Sequence, residues 1–211
     1  MFKDLISRPD APYAVIWIAV FLYVALVAVF VQIIALPYIV PTWHAGNGLM
    51  IGGDWIWFNQ MAVEMSDSIR INGWQEWTLR PHGQAPAGIA AAIYALVVPK
   101  PWTIIPLNAI LHASAALLLI LIMQCLNISW QYAAASALPF TLFPSAMTWY
   151  TQLHKDGFFI LGFLIFLYGW ILLTEAIINA RNIKTLVKPY LYILFGAAIV
   201  WVVRPYGVQM M

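Results

Sequence analysis

Seven side chains are of types and in settings that could do chemistry: Asp54, Arg80, His82, His154, Lys155, Asp156 and Arg204. A carboxylate at a water–lipid boundary, as Asp54 would be, can take a proton from a hydroxyl nucleophile. The same residue ahead of a helix can also serve only as its cap, and both readings stand. Arg80 and His82 sit in Arg80-Pro81-His82-Gly83, just before an apolar run. A guanidinium grips two phosphate oxygens at once, or it anchors a helix end among lipid headgroups. His154-Lys155-Asp156 sets a ring nitrogen, a cation and a carboxylate side by side. Asp156 precedes a long apolar stretch, so capping is its plainer role. Arg204 follows an apolar run and precedes Pro205. It either marks the outer end of a helix or lines a cavity.

The elements that must carry these residues are read from apolar runs. Tyr13–Val40 is long enough to span a bilayer with tilt. Pro41–Gly83 is mixed in character, and within it Phe58, Met61, Ala62, Met65 and Ile69 follow helical spacing. Asn59, Glu64, Asp67 and Arg70 fall largely elsewhere on that wheel. With Trp55 and Trp57 suited to headgroups, residues 54–70 read as an amphipathic helix lying on the membrane surface. The run 85–98 is apolar but short. Trp102–Leu126 and Gly157–Ile178 span readily, 130–148 is a shorter candidate, and 190–203 starts a further helix. The expected fold is therefore all-α: a polytopic helical membrane protein in one domain over 1–211. It has about five to six transmembrane helices and an interfacial helix in an outer loop at 41–101.

Composition supports this. Hydrophobic residues make up 64% of the 211 and charged residues 9%, against about 25% charged in soluble domains. Mean hydropathy is +0.84. A net charge of +2 without a basic run argues against nucleic acid as a partner. The single Cys125 excludes an intrachain disulfide and reads as apolar filler, and His112 reads as a packed intramembrane histidine. Spacing reveals no metal cluster, Walker loop, dinucleotide fingerprint or nucleophile elbow.

Orientation turns on 85–98. A full span there would put the basic loop Arg181–Lys188 outside, against the positive-inside tendency. If the run re-enters or lies shallow, the loop and the N-terminus face the cytoplasm. Residues 41–101, His154–Asp156 and Arg204 then share the outer face. The expected location is a bacterial inner membrane.

The order of features carries a resemblance. A first helix leads to Gly52-Gly53-Asp54 and a surface helix. Arg80-Pro81-His82-Gly83-Gln84-Ala85-Pro86-Ala87-Gly88 then enters the membrane, followed by Phe143-Pro144-Ser145 and by Lys155-Asp156 before a long helix. This resembles the N-terminal half of GT-C fold membrane glycosyltransferases, of the protein mannosyltransferase and dolichyl-phosphate-mannose-dependent type. The resemblance implies transfer of a sugar from a polyprenyl-phosphate-type carrier to an acceptor hydroxyl on the extracytoplasmic face. It implies that Asp54 acts as the base or binds the acceptor. Arg80, His82, His154, Lys155, Asp156 and Arg204 would hold carrier phosphate or substrate. A divalent metal, where members use one, would involve Asp54 and Asp156, but position 52 is Gly and 158 is Phe where metal-binding members carry further acids. Members have more membrane helices, so the resemblance implies that the chain is a fragment, a truncated gene product or a reduced relative. The alternatives from another class are a non-enzymatic carrier-binding or transporter-type membrane protein and an inactive fragment. Apolar helix midplanes with polar residues at the ends favour interfacial chemistry over transport.

Overall fold

The structure, a computed structural model, describes residues 12–143, 150–179 and 183–211. The N-terminal charges Lys3 and Arg8, Pro144-Ser145 of the resemblance motif, and Arg181 of the basic loop lie outside the described residues. Helix α1 (Tyr13–Phe30) continues in wider π turns over Val31–Ile39. A hairpin follows, β1 (His44–Gly46) and β2 (Leu49–Met50), then α2 (Trp55–Asn72), α3 (Ala85–Leu96) and α4 (Ile105–Cys125). Helices α5 (Trp130–Leu142), α6 (Asp156–Ile178) and α7 (Val187–Val203) follow, ahead of a 3-10 segment Pro205–Met210.

The all-α expectation holds. Three helical stretches are long and apolar enough to cross a membrane: Tyr13–Ile39, Pro101–Cys125 and Asp156–Ile178. The other apolar helices are shorter. At about 1.5 Å per residue, the 12 residues of α3 reach roughly 18 Å, against a hydrocarbon core of about 30 Å. The 13 residues of α5 and the 17 of α7 also fall short of that thickness.

The chain divides into two compact units. The first comprises Met1–Phe21, Leu111–Phe143 and Phe158–Met211. In it the Tyr13 hydroxyl donates to Gln124 Oε1 at 2.8 Å and Trp17 Nε1 donates to Ser114 Oγ at 3.1 Å, tying the start of α1 to α4. Ile120, Ala133 and Ala137 form a small buried cluster beneath them. Helices α6 and α7 meet where Gly196 approaches the backbone of Gly162 and Phe166, a contact only small residues allow.

The second unit comprises Leu22–Ile110 and Pro144–Gly157. Its core is the face of α2 that the sequence period picked out. Phe58, Met61 and Ala62 pack with Ala87, Ala90, Ala91 and Tyr94 of α3, and Ile69 of the same stripe is buried as well. The apolar stripe of α2 is covered by α3, and the helix turns outward Trp57, Gln60, Glu64, Asp67 and Ile71. The small residues Ala87, Gly88, Ala90 and Ala91 let the two helices approach closely. Arg70 closes the C-terminal end of α3 by donating to the carbonyls of Tyr94, Ala95 and Val97, where a cation is favoured. The buried Tyr94 hydroxyl donates to Asn59 Oδ1 at 2.7 Å. Tyr94→Phe should lower stability by about 1 kcal/mol, read as a fall in the thermal unfolding midpoint in detergent with helix content unchanged.

Candidate functional site

The site is built where the start of α2 meets the segment that ends at α6. Asp54 occupies the position before α2, yet its side chain makes no capping hydrogen bond. Its Oδ2 instead lies 3.9 Å from Lys155 Nζ. The Asp54 side chain is 65% exposed and that of Lys155 only 22%. The lysine stem runs over buried Phe58, with Nζ 5.8 Å from the ring centroid. The cation therefore has an aromatic face on one side and a carboxylate on the other. An exposed pair at this separation contributes little to stability, so its meaning is positional.

Next to it, the His154 ring leans on Trp55, centroids 5.8 Å apart. His154 Nδ1 lies 2.8 Å from Asp156 Oδ2 and accepts from the Asp156 backbone N–H at 3.1 Å. These two contacts use one nitrogen in different protonation states. With Nδ1 bare the ring accepts from the backbone, and with a proton on Nδ1 it donates to the carboxylate. Asp156 is buried at the first residue of α6, where a negative charge is favoured. The capping-type reading of Asp156 thus survives, whereas that of Asp54 does not.

What holds 150–156 in place is a set of buried carboxamides that sequence reasoning passed over. Asn108 Nδ2 donates to the carbonyls of Tyr150 (3.0 Å) and Gln152 (2.8 Å). Gln32 Nε2 donates to the Thr151 carbonyl. Gln152 accepts from Met50 N–H at 3.2 Å and donates to the Gly48 carbonyl at 3.3 Å, pairing with the hairpin as a strand would. Trp55 Nε1 donates to the Met50 carbonyl, its indole lying over Gly53 where no side chain would fit. The hairpin itself was also missed, although its signal is written: Asn47-Gly48 takes φ of 53° and 79°, as a two-residue I′ turn requires. Asn108→Leu should leave two buried carbonyls without a donor and cost about 2 kcal/mol. Hydrogen exchange should then rise over 150–156.

Arg80 and His82 stand elsewhere in this unit, in the turn leading into α3. His82 is exposed with a left-handed φ of 46°, and Arg80 is half-buried. The turn is fixed because Gly88 lies beneath the carbonyls of Thr78 and Leu79, and Trp77 Nε1 donates to the Gly88 carbonyl at 2.9 Å. Arg204 belongs to the first unit, where its guanidinium lies 5.0 Å from the Phe159 ring centroid. The structure thus brings together Asp54, His154, Lys155 and Asp156. Among the described residues no three His, Cys, Asp or Glu gather as a metal would need, so Asp54 and Asp156 do not amount to a donor set. No protein-family model, curated protein or solved structure matches the chain.

Proposed function

We propose that this chain is a glycosyltransferase that moves a sugar from a polyprenyl-phosphate-type carrier to an acceptor hydroxyl at a membrane surface. The observation that carries this reading is the placement of Asp54. It heads a helix it does not cap, stays accessible, and faces Lys155. Asp54 takes the proton of the acceptor hydroxyl, and the oxygen attacks the anomeric carbon as the bond to the carrier phosphate breaks. One in-line displacement inverts the anomeric centre. Charge developing on the leaving phosphate needs fixed positive groups. Lys155, which faces Asp54, is the first candidate, and Arg80 of the same unit is a further one. No nucleotide site is required because the donor already carries an activated phosphate.

The proposed membrane arrangement places 41–101 and His154–Asp156 outside the cytoplasm. It takes the runs 130–148 and 190–203 as further crossings that local thinning of the bilayer accommodates, in the manner of a bacterial inner-membrane protein. The purified chain in lipid vesicles tests the function: a polyprenyl-phosphate-linked sugar and an alcohol acceptor are supplied, and carrier binding and sugar transfer are measured together. Transfer with inversion is expected. Carrier binding without transfer would replace the enzymatic reading with that of a carrier-binding protein.

A further inference from the structure

A second polar feature lies in the same unit and does not depend on the glycosyl-transfer reading. The buried residues of α1 and its π continuation form one stripe, Val24, Ala28, Gln32 and Leu36, spaced four apart. Gln32 is its one polar member and is 4% exposed. Its Nε2 donates to the Thr151 carbonyl. That bond fixes the amide's orientation, since the reversed amide would set oxygen against oxygen. Oε1 is then buried with no hydrogen-bond partner among the described residues.

The neighbouring Gly48 backbone does not supply a donor. Gly48 packs so close to Gln32 that an added Cβ would lie 2.9 Å from Gln32 Cβ and from its carbonyl oxygen. The Gly48 N–H is already given to His44 Nε2 at 2.9 Å, and its carbonyl only accepts. Buried acceptors in folded proteins are almost always satisfied. Gln32 also sits in the π segment, where the Val40 N–H reaches back five residues to the Ala35 carbonyl at 2.8 Å. Such widened turns are rare and concentrate at functional positions.

We propose that Gln32 Oε1 is the acceptor for a small neutral O–H donor held in this turn, a water or an alcohol hydroxyl. A single carboxamide oxygen suits that chemistry. A hard cation would call for about six to eight oxygen ligands, and an anion would be repelled.

The test is solid-state NMR on the full chain in phosphatidylcholine vesicles, whose headgroup carries no O–H. Gln32–Ile33 is the one Gln-Ile pair in the sequence, so labelling Gln at carbon and Ile at nitrogen assigns Gln32 without a mutation. Transfer of magnetisation from water protons to the Gln32 δ-carbon is the expected result and identifies water as the donor. A parallel sample in phosphatidylglycerol vesicles reads transfer from the carbon-bound protons of the glycerol headgroup, which would identify a lipid alcohol. Absence of both transfers, with a δ-carbonyl shift typical of a carbonyl that accepts no bond, would overturn the proposal.

Discussion

Asp54→Asn is expected to lower sugar transfer about a hundredfold or more, the range in which positioned general bases act, while leaving the fold intact. The two halves of this expectation have separate causes. Asparagine has nearly the same shape but cannot accept a proton at neutral pH. Structurally the change is mild, because the Asp54 side chain makes no cap bond that would be lost. Asparagine is as good as aspartate before a helix. The 3.9 Å contact with Lys155 involves a largely exposed carboxylate, and pairs of that kind contribute little stability. Transfer rate and thermal unfolding measured on one preparation separate the causes. A variant that transfers at the wild-type rate ends the assignment of Asp54 as base. A variant that has unfolded ends the view that Asp54 is structurally idle.

Gly88→Ala should destabilise the second unit by about 3 kcal/mol, at the upper end of what overpacking usually costs. A Cβ there would lie 2.2 Å from the Leu79 carbonyl oxygen and 2.5 Å from that of Thr78. Neither is a flexible side-chain tip, so backbone must move. Two outcomes are open to it. Either the 77–80 turn lifts away, breaking the Trp77–Gly88 bond, or α3 slides off α2 and uncovers Phe58 and Ala62. Both disturb the approach to Arg80. The measurement is thermal unfolding in detergent together with tryptophan emission, which should shift to the red as Trp77 loses its partner. Unchanged stability would mean that the turn is far looser than its packing implies.

The sequence was informative wherever structure depends on neighbours a few residues away. The 3.6 period of Phe58, Met61, Ala62 and Ile69 marked both a helix and its buried face. Asp54 and Asp156 were placed correctly at helix starts. What covers that face was not legible, because the period reports that a stripe is buried and not by what. Lipid and α3 make the same demand on it. Asn47-Gly48 was legible and overlooked, since the flanking residues lack the alternation that usually accompanies a hairpin. The carboxamides belong to a third kind. Gln32 and Asn108 stand among apolar residues and Gln152 between Thr151 and Leu153, and their partners lie 42 to 119 positions away. A lone amide in an apolar run announces a need for partners without identifying them. The π turns of α1 leave no composition mark at all.

The Gln32–Thr151 bond also sets an order of events in biosynthesis. Its partners are 119 residues apart. At about 5–20 residues per second, the ribosome needs roughly 6–24 s to reach Thr151 after making Gln32. Until that segment is made, the hairpin lacks Gln152, Asn108 lacks its two carbonyls, and Asp54 lacks Lys155. Residues 150–156 are therefore the closing piece of the unit. A translational pause just ahead of them would hold a nascent chain with its helices formed and its polar groups waiting, the state in which a membrane chaperone or quality-control protease would meet it.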